Sequence, residues 1–201
     1  CSAGDASFGR LVFATTYDPE LLNGWFVSAD DWGFAASVQQ ELLPRVSAEV
    51  QYSRRWLSGF SATDNRAVAN TDFTPYSVIA PSDPRLPGGG GYVIDSLYDV
   101  VPERFGQTDN YVTLAENFGS RTQVYNGFLV NVTARPGSGL TLQGGVNTGS
   151  TVSDTCDIRA ALPESDATDP YCRTGPGFVT RVTGLASYVI PRIDVLVSST
   201  F

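Results

Sequence analysis

The stretch from residue 32 to residue 56 is Trp32-Gly-Phe-Ala-Ala-Ser-Val-Gln-Gln-Glu-Leu-Leu-Pro-Arg-Val-Ser-Ala-Glu-Val-Gln-Tyr-Ser-Arg-Arg-Trp56. Apolar and polar residues alternate on both sides of Pro44, so one face of each half is apolar and the other is polar. A period of two is the signature of a β-strand whose two faces meet different surroundings. The stretch therefore predicts an antiparallel hairpin with a very short turn at Leu43-Pro44-Arg45. The apolar face contains Phe34, Ala36, Val38, Leu42, Val46, Ala48, Val50, Tyr52 and Trp56.

Two further hairpins follow the same pattern. One spans residues 121–149 with a turn at 135–139, and the other spans residues 178–201 with a turn at Pro191-Arg192. The connections between the three hairpins are long, polar loops, at 58–120 and 150–177. Residues 1–31 resemble the end of another such loop. Short turns at one end and long loops at the other are typical of an outer-membrane β-barrel. The predicted fold class is thus all-β, an antiparallel meander of about six strands that forms part of a transmembrane barrel wall over residues 32–201.

Alternation alone does not decide which face is inside. In a soluble sandwich the apolar face is the core, whereas in a membrane barrel it meets lipid and the polar face lines the lumen. Trp32 and Trp56 lie 12 residues to either side of Pro44, and we expect them at one height, as in an aromatic girdle. Together with small residues on the apolar face, such as Ala36 and Ala48, this favours the membrane. The predicted lumen-facing residues are Gln39, Glu49, Gln51, Arg55, Asn131, Arg135 and Gln143.

The composition disfavours several classes of function. The net charge of −8 disfavours nucleic acid as a partner, because proteins bind the anionic phosphate backbone through basic surfaces. The chain has no histidine, which removes the base of a serine triad and the commonest zinc ligand. We therefore predict no enzyme activity, no metal site and no cofactor. Because residue 1 is not methionine and no signal peptide is visible, we expect a piece of a longer precursor, with a mature secreted protein as the alternative.

The chain has three cysteines. Cys156 and Cys172 flank a polar loop, and we predict a disulfide between them, as expected in an oxidising compartment. Cys1 is then left over, with a partner that would lie upstream.

The hairpin around Pro44, from Ser37 to Arg55, resembles the barrel hairpins of TonB-dependent-receptor-like outer-membrane proteins, in particular those with an N-terminal carboxypeptidase-regulatory-like domain. The stretches 83–92 (DPRLPGGGGY) and 190–195 (IPRIDV) are similar to that group as well. The resemblance implies a bacterial outer-membrane location, lipid as a partner, and uptake of a small solute that is not identified. It also implies a plug domain and a TonB system encoded outside this segment, and a barrel of about 22 strands. Six strands would supply only part of such a wall.

Two other classes of protein stay open. A secreted or surface β-sandwich that binds a ligand would keep the apolar face as its core. A structural surface or filament subunit would pair its exposed strand edges between copies.

Overall fold

The computed structural model describes residues 15–23, 25, 27, 29–166 and 170–201. Cys1 and its predicted upstream partner lie outside these residues. In chain order, the strands and α-helices are β1 (Thr15–Tyr17), α1 (Pro19–Leu22), β2 (Asp30–Leu43), β3 (Val46–Ser58), β4 (Ser61–Asn65), β5 (Phe73–Ile79), β6 (Val93–Val100), β7 (Asn110–Leu114), β8 (Thr122–Gly137), β9 (Leu140–Asp154), α2 (Cys156–Ala161), β10 (Arg173–Thr174), β11 (Val179–Ile190) and β12 (Val195–Thr200). Short 3₁₀ helices span Asn70–Asp72, Pro87–Gly89, Pro102–Arg104, Ala115–Asn117 and Pro163–Asp166.

The chain forms two compact units. One unit consists of residues 31–57, 122–153 and 174–201, and we call it the sheet unit. The other consists of residues 1–30, 58–121 and 154–173, and we call it the loop unit. The predicted loops 58–120 and 150–177 thus contribute most of a folded unit with strands of its own, which sequence patterns had not indicated.

The sheet unit is an antiparallel meander with the strand order β2-β3-β8-β9-β11-β12, and β10 pairs with β9 as a short addition. This order confirms the predicted all-β meander of three hairpins. The register places apolar residues opposite apolar residues, as in Val50 opposite Val130 and Val182 opposite Val146. Because side chains alternate between faces along a strand, this register collects the apolar residues on one face of the sheet.

Some strands of the sheet unit extend beyond the bounds that the sequence predicts. Strands β2, β3, β8, β9 and β11 have 14, 13, 16, 15 and 12 residues, whereas β12 has 6. Strand β9 continues to Asp154, past the predicted end at residue 149, and β8 continues through Gly137. The second turn therefore occupies residues 138–139 instead of 135–139. Residues 150–154 have only a weak apolar pattern, yet they continue β9, with which the short strand β10 pairs.

The short turns require left-handed backbone. Arg45 has a φ of 68° and Gly139 a φ of 83°. Glycine adopts such a φ at no steric cost, whereas an arginine there is disfavoured. The backbone N–H of Arg45 donates to Oε1 of Glu41 at 2.9 Å, which holds the first turn from the preceding strand.

The loop unit contains a three-stranded sheet and a separate hairpin. Strand β7 pairs with β1 in parallel and with β4 in antiparallel orientation, and β5 pairs with β6. The core is small and lies under helix α2, where Ile158 and Leu162 are both 4% exposed. The other members of the cluster are Ala62 and Ala115, with Phe60, Phe118 and Ala161 packed against it.

A disulfide joins Cys156 to Cys172, as the sequence predicts. It closes the segment that contains α2, and a second connection lies beside it. The backbone N–H of Thr155 and its hydroxyl both donate to the carbonyl oxygen of Cys172, at 2.8 and 3.0 Å. The disulfide and these two hydrogen bonds therefore join the two ends of the segment that contains the core residues Ile158 and Leu162.

Replacing both cysteines with alanine should destabilise the loop unit by about 3 kcal/mol, because the unfolded chain regains the entropy that a closed loop of this size removes. The measurement is urea unfolding of the full chain under oxidising conditions. Wild-type protein in reductant is the matched control and should unfold with the variant. A variant as stable as the oxidised wild type would contradict a structural role for the bond.

Replacing Glu164 with glutamine should raise stability at pH 7. Partial burial raises the pKa of the Glu164 carboxyl, so the ionised form is disfavoured in the folded state. The gain in stability should disappear below pH 4.5, the ordinary pKa of a free glutamate carboxyl, because the wild-type side chain is then neutral like the glutamine of the variant. Asp18→Asn is a control of opposite sign, since the Thr113 hydroxyl lowers the pKa of Asp18 and its ionised form stabilises at pH 7. Melting temperatures at pH 7 and pH 4 measure both effects. The gain of Glu164→Gln should shrink at pH 4, whereas the loss of Asp18→Asn should persist there, because it disappears only as the pH falls below 3.8. Equal gains of Glu164→Gln at the two pH values would contradict this assignment.

Candidate functional site

The apolar face of the sheet unit has no protein cover among the described residues. Val38 is 72% exposed, Val50 52% and Phe128 45%. The only buried residues of the described sheet unit are Gly127 and Gly184, which have no side chain. Sixteen larger apolar residues are exposed on this face, and they are Trp32, Phe34, Val38, Leu42, Val50, Trp56, Phe128, Val130, Val132, Leu142, Val146, Val182, Tyr188, Val195, Val197 and Phe201.

Trp32 and Trp56 lie at the same height on neighbouring strands. The hydroxyl of Ser58 donates to Oδ1 of Asp30 at 2.7 Å, which brings the start of β2 beside the end of β3. Each tryptophan is two residues inward from this contact. Trp32 is 59% exposed and Trp56 38% exposed. The arrangement is compatible with the predicted girdle, whose contact with lipid stays a prediction.

The predicted lumen-facing residues share the opposite, polar face. Asn131 lies directly across from Glu49 in the ladder between β3 and β8, and Leu129 lies across from Gln51. At the start of the sheet, the Arg55 guanidinium makes an ion pair with Asp31, with Nε 2.7 Å from Oδ1. Asp31 was assigned to a loop by the sequence, but it belongs to strand β2.

Two grooves lie along the polar face. The larger, about 920 Å³, is at the turn end and is lined by Gln39, Glu41, Arg45, Val46, Ser47, Thr133, Arg135, Gly137 and Gln143. We call it the turn groove. The smaller, about 390 Å³, includes Glu49, Asn131 and Thr183. Of the predicted lumen residues, Gln39, Arg135 and Gln143 line the turn groove, whereas Gln51 and Arg55 line neither.

The predicted set had not included Arg45, Ser47 and Thr133, which also line the turn groove. The alternation of polar residues could have found Ser47 and Thr133, since they fall in the same period as Glu49 and Asn131. Arg45 lies in the turn itself, where the period of two ends, and its direction depends on the left-handed φ.

Tyr125 covers two glycines on the polar face. Its side chain lies where a Cβ atom at Gly127 would be, and a Cβ at Gly149 would lie 2.6 Å from its hydroxyl oxygen. The phenol thus extends across the backbone of β8 and β9 and packs on a surface that only glycine leaves open. Tyr125 is the one aromatic residue on the polar face of the described sheet, and Arg55 lies opposite it in the ladder between β3 and β8.

The two units differ in charge. All 13 basic residues are arginines. The sheet unit has 6 arginines and 4 carboxylates, for a net charge of +2, whereas the loop unit has 7 arginines and 17 carboxylates, for a net charge of −10. The acidic character of the chain therefore belongs to the loop unit alone.

Within the described part of the chain, no group of three or more histidine, cysteine or carboxylate side chains is arranged to hold a metal ion. None of the helices formed by the described residues is both long enough and apolar enough to cross a membrane. Comparison of the chain with protein-family models, with curated proteins and with solved structures found no match. The candidate site therefore depends on the physical character of the two sheet faces.

Gly149→Ala should destabilise the sheet by about 0.5–1.5 kcal/mol, because the new methyl group must push the end of the Tyr125 phenol away from its preferred rotamer. In a Tyr125→Ala background the same substitution should cost little, since the overlapping ring is gone. Gly33→Ala is the matched control, because a Cβ at Gly33 meets nothing within 4 Å. Denaturant unfolding of the four variants measures the coupling. An equal cost for Gly149→Ala in both backgrounds would show that the ring and the glycine are independent.

Proposed function

We propose that the sheet unit is part of the wall of a transmembrane β-barrel in a bacterial outer membrane. Its apolar face contacts lipid and its polar face borders an aqueous lumen. The observation on which the proposal rests is the uncovered apolar face, with its 16 large exposed residues.

The apolar face is too large to remain exposed to water in a stable fold. Burying one Val, Leu or Phe side chain contributes about 1.5–3 kcal/mol. Sixteen such side chains together exceed the net stability of a typical domain, about 5–15 kcal/mol. A cover is therefore required, and a lipid bilayer supplies one without a matching protein surface. Small residues on the same face, such as Ala36 and Gly144, need no interdigitating partner against fluid lipid.

Strand length and the tryptophans support the same assignment. A transmembrane strand needs about 9–11 residues, and β2, β3, β8, β9 and β11 all have at least 12. Tryptophans at one height on neighbouring strands match the interfacial position that these side chains prefer. The net charge of −10 on the loop unit requires water around it.

The activity we propose is uptake of a small solute by a TonB-dependent-type receptor. The support is the resemblance of the first hairpin to the barrels of that group and the polar character of the face opposite to lipid. The described sheet has unpaired edges at β2 and β12, and further strands would complete the wall. The plug domain and the TonB system would lie outside this segment. Residues of the loop unit would bind the solute first, and the disulfide would hold part of that surface.

The lipid contact can be tested with the intrinsic tryptophans, of which there are three. Trp25→Phe leaves Trp32 and Trp56, whereas the Trp32→Phe/Trp56→Phe double variant leaves Trp25 of the loop unit. Both proteins are refolded into phosphatidylcholine vesicles with and without bromine on the acyl chains. We expect brominated lipid to quench the first variant severalfold more than the second, because only Trp32 and Trp56 belong to the lipid-facing surface.

Equal, weak quenching of both variants would contradict the membrane wall. If the chain is then a soluble monomer with a cooperative melt, it is a β-sandwich binding module. Ordered soluble polymers would identify a filament subunit, in which the strand edges pair between copies.

A further inference from the structure

We propose that the turn groove binds the oxyanion group of a hydroxyl-bearing solute, through the guanidinium groups of Arg45 and Arg135. The inference deepens the proposed function, since it assigns a substrate class to the polar face that would line the lumen. The shared chemistry of the ligand is a carboxylate or phosphate attached to a chain or ring of hydroxyl groups.

The arginines of the chain divide into two groups. Among the 12 arginines in the described residues, 8 make an ion pair or lie over an aromatic ring. Arg55, for example, pairs with Asp31, and Arg66 lies 3.3 Å from the centre of the Tyr111 ring. The guanidiniums of the other 4 have no such partner within the described chain, and they are Arg45, Arg135, Arg181 and Arg192. All four belong to the sheet unit, and two of them line the same groove.

Backbone geometry holds the two groove arginines together. The N–H of Arg135 donates to the carbonyl oxygen of Arg45 at 2.9 Å, so the two residues lie side by side on β8 and the first turn. Two guanidiniums at adjacent positions can both donate to one oxyanion. Guanidinium groups bind carboxylate and phosphate through two parallel N–H bonds, which is the strongest common form of anion recognition in proteins.

The carboxylate in the groove does not pair with these guanidiniums. Oε1 of Glu41 accepts the backbone N–H of Arg45 at 2.9 Å, and it makes no ion pair with a described residue. One carboxylate against two guanidiniums leaves a net charge of +1 in the groove.

The rest of the lining selects for hydroxyl groups. Gln39 and Gln143 present amides, and Ser47 and Thr133 present hydroxyls. Amides and hydroxyls both donate and accept, as do the hydroxyls of a polyol. No aromatic ring lines the turn groove, so the geometry does not favour an apolar solute. A volume of about 920 Å³ is sufficient for a molecule of several carbons.

The test measures the affinity of the full chain, in detergent micelles, for matched pairs of probes. The method is isothermal titration calorimetry. Gluconate and glucitol have the same hydroxylated carbon chain and differ in the carboxylate. Glucose 6-phosphate and glucose differ in the phosphate. We expect gluconate or glucose 6-phosphate to bind at least about tenfold more tightly than its neutral counterpart, since hydrogen bonds to a charged group are the stronger kind.

The Arg45→Gln/Arg135→Gln variant should remove that preference, and glutamine keeps the Cβ and part of the aliphatic chain at both positions. Arg181→Gln/Arg192→Gln is the matched control, because it removes two unpaired arginines of the same unit that do not line the groove. Equal losses in the two variants would show a general charge effect and overturn the site. Equal affinity of wild-type protein for charged and neutral probes would overturn it as well.

The fluorescence of Trp32 and Trp56 separates this inference from the proposed function. If brominated lipid quenches them and the charged probes do not bind, the barrel wall stands and the groove is not an anion site. If they are not quenched but gluconate binding depends on Arg45 and Arg135, the groove is a binding site of a protein that is not a barrel. Quenching that is unchanged in Arg45→Gln/Arg135→Gln also shows that the variant is folded.

Discussion

The structure depends on one constraint, the separation of apolar and polar side chains onto opposite faces of a sheet that is one layer thick. The register between β3 and β8 and between β9 and β11 preserves this separation across the sheet. A shift of one residue would move every apolar side chain to the polar face, so the register and the surroundings of the sheet determine each other. In most soluble folds a second layer supplies the cover, and buried side chains record its presence. The described sheet unit has no buried side chain, so the stability of the sheet depends on what contacts its apolar face.

The distribution of charge follows the same division. Carboxylates are concentrated in the loop unit, which has its own core around Ile158 and Leu162 and needs no apolar surroundings. The sheet unit is nearly free of acidic residues, and the ones it has lie near strand ends or on the polar face, as Asp31 and Glu49 do. A carboxylate in the middle of the apolar face would be costly in lipid. Asp30, which shares a face with Trp32, lies at the first position of β2, where the strand begins.

The sequence predicted the sheet well because its signals are local. Alternation around Pro44 and the short turns specify hairpins from residues that are close in the chain, and those strands and their order agree with the prediction. The predicted start of the second turn, at Arg135, was wrong, because β8 continues through Pro136 to Gly137. Proline occurs at irregular strand positions as well as in turns, so it does not mark the boundary. The fold of the loop unit could not be predicted, because its sheet pairs Thr15 with Asn110 and its core joins Ala62 to Ile158. Contacts between such distant residues leave no periodic signal in the sequence.

The same holds for the candidate site. Gln39, Arg135 and Gln143 were found by their period, whereas Arg45 depends on the backbone of a turn. The ion pair between Arg55 and Asp31 joins residues on two strands that the sequence had divided between a strand and a loop. Side chains inside regular strands were thus predictable, and side chains at the junctions were not.

The discontinuous composition of the loop unit has a kinetic consequence. Its three segments are separated in the chain by the first two hairpins. Strand β1 pairs with β7, which is distant in the sequence, as in Thr15 opposite Asn110. Hairpins with short turns close within microseconds, whereas contacts between distant residues form late because the loop entropy must be overcome first. The three hairpins should therefore form early and bring the segments of the loop unit toward one another. The order of folding is then the reverse of what the buried core suggests, with the part that has no core forming first.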